Sequence, residues 1–532
     1  MSLQWFSTSR ARYAAAIVAV AALWLTLTLL RLAALPWLEA GNSLSASYHV
    51  LWTVKALSAS SAEAHGWLPT VTLTPDPVLS PDWGALLSSE AGARIYTSFP
   101  PLGFLLPTLF LGEDPDMAGL ATLNAVFGGI SALLAGLLGA SVRRCAARSR
   151  TAEDHWAGPT VFAVVAALYL LAPEMLQSHG VVYWPQSPAQ IPLLLGLALL
   201  FRRLRNVAAR WELAPLLLCC FVYPSLEWTG FVFCGGVALA LAVHSTSGEP
   251  EADRRAARML RTAQAVFRGP PLAVLAAGTL ALFVIVTHFA IVLGVDPFLE
   301  SLTQRAGSRA QTKFFTYLPF GYFVSFGLLP LVFLWACWKA RASLRRDALG
   351  LLFLAALFPM IENLLLSMHA WLYTFDRMKL AAPMIVAICA WVGSATPPMR
   401  ARTVALVFAL LALSNVAMYS ARIYDNRQWP RMMAKNQDLA QQALLDPLAD
   451  CAIWGQDGWV RGSINLPFNR DIFENQTPEG LVDLARGRGE DVCAAAFIET
   501  RHPYLDLRSV ISITFFDREG AVIRAYHRNP EG

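Results

Sequence analysis

Long apolar runs recur along the first 420 residues of the chain, and their length constrains the fold more than any other feature. A helix needs about 20 residues to cross the ~30 Å hydrocarbon layer of a bilayer. Because 56% of the residues are hydrophobic and only 15% are charged, one water-soluble core could not bury them all. We therefore predict an all-α polytopic membrane protein with about eleven transmembrane helices. The runs lie near 13–35, 117–141, 158–173, 188–201, 212–225, 229–244, 271–294, 318–338, 347–367, 380–395 and 402–420.

Basic residues between the runs predict how the chain crosses the membrane. They gather in alternate loops, and cytoplasmic loops are typically those rich in Lys and Arg. The N-terminus is then predicted to be cytoplasmic, and a long loop, 36–116, to lie on the outer side together with the tail from residue 421. The clusters are Arg143–Arg150, Arg202–Arg210, Arg254–Arg268, Lys339–Arg346 and Arg400–Arg402.

The segment Phe99–Leu111, inside the long loop, is apolar enough to be a further span. Counting it as one would move the Arg143–Arg150 cluster to the outer side, against the charge bias. We predict instead a helix lying at the outer membrane surface, with Pro100 and Pro101 in its first turn.

The composition changes sharply after residue 420, where charged residues become frequent. Two β-rich runs, 509–516 and 521–526, flank a turn and predict a hairpin. The sequence thus predicts a transmembrane domain over 1–420 and a small extracytoplasmic α/β domain over 421–532. Cys451 and Cys493 both lie in this tail, and they can pair as a disulfide if the tail is extracytoplasmic.

Three carboxylates in the loop 36–116 are candidate catalytic residues. Glu39 is the first acid after the first span, where partial loss of water would suit it to act as a general base. Asp76 and Asp82 compete for this role, and each lies next to a proline and so in a predicted turn. The alternative is that all three are ordinary solvated acids near a membrane surface.

Cations in the predicted outer segments are candidate phosphate-binding residues. Arg377 and Lys379 precede a span, at a place where the topology disfavours positive charge. An Arg fork or a Lys point charge suits phosphate oxygens, whereas the alternative is that both reach out to lipid headgroups. Arg94 and Arg305 are further candidates on other outer segments.

Aromatic and proline residues in the same outer segments are candidate substrate contacts, because aromatic faces suit a sugar ring; an aromatic belt at the membrane surface is the alternative. They are Tyr96, Pro100, Pro101, Trp184, His369 and Tyr373.

The order of these features resembles that of the GT-C glycosyltransferases. The branch it resembles uses polyprenol-phosphate sugars and includes the protein O-mannosyltransferases and the lipid A aminoarabinose transferases. One span, a long outer loop with the early acid Glu39, and then the motif Ser98-Phe-Pro-Pro-Leu-Gly103 carry the resemblance. By this resemblance Glu39 corresponds to the catalytic acid and Pro100-Pro101 to the start of a juxtamembrane helix. The acid is single where the family has a doublet, and Phe99 stands where the family has His or Lys.

The resemblance implies a glycosyltransferase of the bacterial inner membrane. Such an enzyme moves a sugar from a polyprenyl-phosphate-linked donor to a periplasmic glycan, lipid or protein, by inverting displacement. The resemblance implies no definite cofactor. A requirement for a divalent cation stays an open alternative, and the sequence does not identify metal ligands. A lipid-linked glycan transporter or flippase, and an oligosaccharide ligase or polymerase, are the alternatives. The sequence has no Walker loop and no basic tract interleaved with aromatics, which disfavours a nucleotide-driven pump and a nucleic-acid-binding protein.

Overall fold

The computed structural model describes residues 2–35, 44–73, 85–147, 154–246, 255–309, 312–345, 347–395, 401–425, 438–456, 472–474, 477–489, 492–501 and 508–527. The chain divides into two compact units. Unit 1 consists of Met1–Ala33, Ala121–Thr287 and Ala306–Arg422. Unit 2 consists of Ala34–Leu120, His288–Arg305 and Ile423–Gly532.

Helices make up most of the described chain, and short 3₁₀ turns connect several of them, notably Thr312–Thr316 and Thr374–Leu380. The α-helices are α1 Ser2–Ala33, α2 Leu44–Ala59, α3 Ala62–His65, α4 Leu102–Leu111, α5 Met117–Ala146, α6 Asp154–Leu171, α7 Pro173–Ser178, α8 Gln186–Leu204, α9 Leu213–Leu226, α10 Thr229–Thr246, α11 Arg255–Val266, α12 Gly269–Leu293, α13 Val295–Arg309, α14 Leu318–Phe326, α15 Leu329–Lys339, α16 Arg341–Leu344, α17 Asp347–Leu357, α18 Met360–Leu365, α19 Ser367–Leu372, α20 Ala381–Ser394, α21 Ala401–Asp425 and α22 Pro478–Arg486.

Five helical segments in the described ranges are long and apolar enough to cross a membrane, and the bent pair α14–α15 would make a sixth. Three other predicted runs contain shorter apolar helical stretches of 10–17 residues, namely Gly158–Leu171, Leu213–Leu226 and Leu406–Ala421. The all-helical membrane architecture is confirmed, whereas the count of about eleven spans is not. The five segments are Arg10–Ala33, Met117–Ala146, Thr229–Thr246, Gly269–Leu293 and Ala348–Leu365.

Close helix packing in unit 1 depends on glycines of α5. A Cβ atom at Gly129 would lie 2.9 Å from Nε1 of Trp24, and one at Gly136 would lie 2.7 Å from the carbonyl oxygen of Phe162. The indole of Trp24 in turn donates a 2.7 Å hydrogen bond to the Ala125 carbonyl. Small residues let membrane helices approach closely where apolar burial alone gives little drive. They bring α1 and α6 against α5.

Breaks between helices create the polar regions of unit 1. Ala172 has extended backbone between α6 and α7, and Pro173 then opens α7. Gly327, with φ +60°, ends α14, and the helical segments on either side of it are bent by 104°. At such breaks backbone and side-chain polar groups are exposed within a helical bundle, which is where membrane proteins place binding sites.

The described part of the loop 36–116 belongs to unit 2 and has its own structure. Strands β1 (Leu86–Ser88) and β2 (Arg94–Tyr96) pair antiparallel. The helix predicted near Phe99–Leu111 is present as α4, and it begins at Leu102, directly after the two prolines. The hydroxyls of Thr97 and Ser301 share a buried 2.7 Å hydrogen bond, which fixes the end of β2 to α13.

The tail of unit 2 contains a five-stranded mixed sheet in the order β4-β3-β5-β6-β7. β3 (Ala452–Gln456) pairs parallel with both β4 (Ile472–Glu474) and β5 (Cys493–Arg501). β5 pairs antiparallel with β6 (Arg508–Phe516), which forms the predicted hairpin with β7 (Val522–His527). The small α/β tail predicted from composition is therefore present.

Both faces of this sheet are covered. On one face the helical segment 438–444 packs its apolar residues against Trp454, Phe497 and Phe515. On the other, α22 packs Leu481 and Ala485 onto β3 and β5. α22 is capped by Thr477, whose side chain accepts the Gly480 N–H.

A buried carboxylate, Asp446, ties the last strand to the rest of the tail. It accepts hydrogen bonds from Tyr526 Oη at 2.6 Å, from Arg524 Nη1 at 2.7 Å and from the Leu448 N–H at 2.9 Å. Burial alone would raise the pKa of Asp446, but these three bonds outweigh it and hold that pKa below its ordinary value.

Cys451 and Cys493 are joined by a disulfide, with Cα atoms 5.4 Å apart. The bond closes a loop over a sequence separation of 42 residues, next to the β3–β5 pairing. Replacing both cysteines with alanine is expected to lower the free energy of unfolding of the tail by about 2–4 kcal/mol, because the unfolded loop gains entropy. Limited proteolysis of the full-length protein measures this, with Cys145→Ala as the control. The idea fails if a reducing agent leaves the protease resistance of the wild type unchanged.

Candidate functional site

A buried lysine surrounded by three carboxylates lies at the centre of the polar region of unit 1. Nζ of Lys379 is 2.9 Å from Glu227 Oε1 and 2.6 Å from Asp376 Oδ1, and it also contacts Glu362 Oε2. The Lys379, Glu227 and Asp376 side chains are no more than 1% exposed, and that of Glu362 is 15% exposed. We call these four residues the lysine cage.

Three separate breaks in the helices supply the cage. Glu227 lies in the two-residue gap between α9 and α10, and Glu362 lies on the short helix α18. Asp376 and Lys379 are three residues apart on the 3₁₀ turn Thr374–Leu380, so both point to the same side of that turn. A helix continued through any of these places would carry its carboxylate along the helix surface and away from the lysine.

Further buried polar groups surround the cage. Thr229 Oγ1 donates to Glu227 Oε1 at 3.0 Å, and Gln186 Nε2 donates to Asp376 Oδ1 at 3.2 Å. Nδ1 of His369 lies 3.4 Å from Asp376 Oδ2. The cage thus carries three acids against one lysine, and burial makes any unbalanced charge costly.

Arg377 lies on the same turn, between two cage residues, and is only 3% exposed. A Cβ atom at Gly321 would run into its guanidinium, so the absence of a side chain at Gly321 leaves the space in which Arg377 lies. Arg377 is therefore held by the fold rather than extended into the surroundings.

A second polar network in unit 1 surrounds His179. Tyr169 Oη is 2.9 Å from Nε2 of His179, and Ser187 Oγ is 2.8 Å from Nδ1. Because the Ser187 hydroxyl donates to Asn124, Nδ1 of His179 is the donor and Nε2 accepts from Tyr169. Asn124 Nδ2 also donates to the carbonyls of residues 178, 180 and 182, and so fixes the turn after α7.

Arg31, in the last turn of α1, lies beside this network. It is 7% exposed, and its Nη1 donates a 3.0 Å hydrogen bond to the His179 carbonyl. Within the described ranges, its Nε and Nη2 atoms have no hydrogen-bond partner. A buried cation in this state is suited to an incoming anion.

An apolar cavity of about 60 Å³ lies between the two helix breaks of unit 1. Its walls come from α6, α7, α14, α15 and α20, and include Tyr169, Met175, Phe326 and Met384. Glu174, which is buried on α7 next to Met175, accepts hydrogen bonds from Ser178 at 2.6 Å and Ser325 at 3.1 Å.

The sequence-predicted residues fall into three groups. Glu39, Asp76 and Asp82 lie outside the described residues. Arg94, Tyr96, Pro100, Pro101 and Arg305 belong to unit 2, where Tyr96 packs edge-on against Phe104 at 5.5 Å between ring centroids. Trp184, His369, Tyr373, Arg377 and Lys379 belong to unit 1.

The structure brings four rings of unit 1 together in a row. Ring centroids are 5.7 Å apart from Trp184 to Phe375, 5.5 Å from Phe375 to Tyr373 and 4.7 Å from Tyr373 to His369. Tyr373, the third ring of the row, is 40% exposed, whereas Trp184 and His369 at the two ends are buried.

Two features of the site differ from what the sequence indicated. Lys379, a candidate for binding a phosphate, directs its ammonium protons to the cage carboxylates. Glu174 was not among the candidates, although a lone acid between two apolar runs is itself a signal of a buried functional carboxylate.

The cage has the donor set of a cation site. One carboxylate oxygen from each of Glu227, Glu362 and Asp376 lies within 4.8 Å of the others, and such a set can hold a divalent cation. In this structure Nζ of Lys379 contacts all three residues, so the Lys379 ammonium group occupies the place of the cation. A metal ion and a protonated Lys379 do not fit this site together.

No family model and no curated protein sequence matches the chain. The structure is similar over most of its length to ArnT from Cupriavidus metallidurans bound to undecaprenyl phosphate. The TM-score is 0.51 at 13% identity, and the match covers 93% of this chain and 97% of that one. This chain therefore has a fold similar to that of ArnT, in line with the fold that the sequence resemblance predicted.

Two solved structures from Archaeoglobus fulgidus are similar at lower scores. The oligosaccharyltransferase in complex with Zn and sulfate gives a TM-score of 0.46 at 14% identity, over 88% of this chain and 68% of that one. AglB, an oligosaccharyltransferase in complex with an inhibitory peptide and a dolichol-phosphate, gives 0.45 at 12% identity, over 89% and 69%.

Proposed function

We propose that this protein is a membrane glycosyltransferase that moves a sugar from a polyprenyl-phosphate-linked donor to an acceptor outside the cytoplasm. The observation that carries the proposal is the likeness to ArnT over nearly the whole of both chains, because that protein was solved with undecaprenyl phosphate bound. Fold alone does not fix an activity, so the local chemistry must also suit such a donor.

Unit 1 has groups suited to both parts of a polyprenyl phosphate. The cavity beside Tyr169 and Met384 is lined by apolar side chains and suits a short part of an isoprenoid chain. Arg377 and Arg31 are buried guanidiniums, and guanidinium groups pair with phosphate oxygens through two parallel hydrogen bonds. We assign the donor phosphate to these arginines, with Arg94 and Arg305 as further candidates, and not to Lys379.

The reaction we propose is a single inverting displacement. The acceptor hydroxyl loses its proton to Glu39 and its oxygen bonds to the anomeric carbon. The bond from that carbon to the phosphate oxygen breaks, and its electron pair leaves with the phosphate. Arginine side chains stabilise the charge that develops on the leaving phosphate. Asp76 and Asp82 are the alternative bases, and the aromatic row from Trp184 to His369 is a candidate surface for a sugar ring.

The proposed topology follows from the charge bias and from the disulfide. A cytoplasmic N-terminus and outer positions for the loop 36–116 and the tail 421–532 agree with the distribution of Lys and Arg. The disulfide of Cys451 and Cys493 supports an oxidising location for the tail, as in the periplasm. We propose that the tail domain, 421–532, helps to select the acceptor, and that the transmembrane domain, 1–420, binds the donor.

Binding of undecaprenyl phosphate tests the donor class without knowledge of the sugar. The purified full-length protein should be stabilised against heat by undecaprenyl phosphate, and not by undecaprenol or phosphatidylglycerol at the same concentration. A ligand at 100 times its Kd stabilises a protein by about 2.7 kcal/mol. Equal stabilisation by all three lipids would contradict the proposal.

Arg377→Lys separates a phosphate-binding role of this arginine from a packing role. The lysine keeps the charge but loses the two-pronged donor, so undecaprenyl phosphate should bind roughly 10–100-fold more weakly. Arg268→Lys makes the same change at an exposed arginine and should leave the Kd unchanged. A normal Kd for Arg377→Lys, in protein with a normal melting temperature, would remove Arg377 from the donor site.

A lipid-linked glycan flippase is the main alternative from another functional class, and an oligosaccharide ligase or polymerase is the alternative with the same donor chemistry. A flippase would bind the same lipid but would not break the bond between sugar and phosphate. Loss of turnover in Glu39→Gln with retained lipid binding supports the enzyme.

A further inference from the structure

The lysine cage combines three carboxylates with a lysine as their shared cation. Lys379 has three ammonium protons, and its Nζ contacts one oxygen from each of three carboxylates. It is also 3.4 Å from Asn363 Oδ1, a fourth oxygen. A small cation inside a ring of oxygen atoms has the same arrangement as a metal ion with carboxylate and amide ligands.

Buried acceptor atoms remain around this centre. Within the described part of the chain, Glu227 Oε2 and Gln186 Oε1 are buried without a hydrogen-bond partner, and Asp376 Oδ2 lies 3.4 Å from Nδ1 of His369. The hydroxyl of Tyr223, which is fully buried and equally without a partner there, interacts electrostatically with all four cage residues. The site therefore offers more oxygen ligands than one ammonium can use.

The charge of the three carboxylates also favours a divalent cation in the cage. Three carboxylates can carry up to three negative charges, which one ammonium does not balance, and unbalanced charge in a buried place is costly. A divalent cation would balance it better than an ammonium does. Hard cations such as Mn²⁺ and Ca²⁺ prefer carboxylate and carbonyl oxygens, which are the groups present here.

We propose that Lys379 is a tethered cation occupying a latent divalent-cation site formed by Glu227, Glu362 and Asp376. Because this cation is a side chain of the protein itself, the natural protein needs no metal ion between the three carboxylates. Removing the amine without filling its space turns the cage into a site for Mn²⁺ or Ca²⁺. This inference does not depend on the transferase activity, because it concerns only the cage and its occupant.

Two substitutions of the lysine form a matched pair for the test. Lys379→Ala removes the amine and leaves room for an ion, whereas Lys379→Met removes the amine but fills the space with an apolar chain. Full-length protein in detergent is titrated with Mn²⁺ and with Ca²⁺, and melting temperature and bound metal per chain are measured. We expect Lys379→Ala to bind about one ion per chain with a saturable rise in melting temperature. We expect Lys379→Met to bind none at this site, and the wild type to be unaffected by the ions or by EDTA.

A third variant tests whether the ion binds in the cage. It also keeps the proposal testable if Lys379→Ala alone does not fold. Lys379→Ala combined with Glu227→Gln carries one charge less, and it should fold without metal and bind the ion at least tenfold more weakly. If Lys379→Ala alone cannot be purified metal-free, Mn²⁺ during extraction should restore its yield. The proposal is overturned if metal restores nothing while the double variant folds, or if folded Lys379→Ala binds no ion. It is overturned equally if EDTA lowers the melting temperature of the wild type.

Discussion

Lys379→Met is expected to lower the free energy of unfolding by about 3–5 kcal/mol, the usual cost of removing one partner from a buried ion pair. Here the Lys379 ammonium forms ion pairs with Glu227, Glu362 and Asp376, so its loss leaves all three carboxylates without a cation. They must then take up protons or draw in water, and either change disrupts the junction of α9, α10 and α18. Denaturant titration of the protein in mixed micelles measures the loss.

The control makes the same replacement at a lysine without buried acids. Lys339 is exposed at the end of α15, and its Nζ lies over the rings of Trp335 and Trp338 at 4.6 and 4.3 Å from their centroids. Its replacement by methionine should cost no more than about 1 kcal/mol. If Lys379→Met were as stable as Lys339→Met, the cage would not be the structural centre of unit 1.

Glu39→Gln is expected to lower kcat by about 10²–10⁴-fold, because a positioned general base contributes about that much to a proton transfer. The amide keeps the size of the side chain and removes its capacity to accept the proton, so undecaprenyl phosphate should still bind with an unchanged Kd. Rate and binding are measured on the same purified sample, by release of undecaprenyl phosphate from its sugar-linked form and by thermal shift.

Glu63→Gln provides the matched control, since Glu63 is an exposed acid in the same loop. Its kcat should remain within about twofold of the wild type, as for an ordinary surface substitution. Full turnover in Glu39→Gln together with a large loss in Asp76→Asn or Asp82→Asn would transfer the role of base to that residue.

Much of the fold could be predicted because it depends on local composition. The length of an apolar run is sufficient to indicate Arg10–Ala33 or Gly269–Leu293 as a membrane-spanning helix. The change at residue 420 and the alternation around 509–526 likewise indicated a sheet in the tail. Where the chain breaks at Gly327, by contrast, the apolar run 318–338 becomes two short helices, and a count based on run length is no longer reliable.

The interior of the site could not be predicted because its contacts join distant parts of the sequence. Arg377 and Lys379 look equivalent in the sequence, being two cations on one outer segment. Only the packing of α9, α10 and α18 shows that Lys379 is enclosed by acids while Arg377 lies beside Gly321. Arg31 is a similar case, since its hydrogen bond to the His179 carbonyl depends on the turn that Asn124 fixes after α7.

The proposed transferase must cleave the bond between a sugar and a polyprenyl phosphate. The direct measurement uses purified wild-type protein in liposomes with a panel of radiolabelled undecaprenyl-phosphate-linked pentoses and hexoses and a cell-envelope fraction as acceptor. We predict that one member of the panel yields free undecaprenyl phosphate together with labelled acceptor, linked through the inverted anomer. Movement of the intact sugar lipid across the bilayer with no release of undecaprenyl phosphate would contradict the account and identify a flippase.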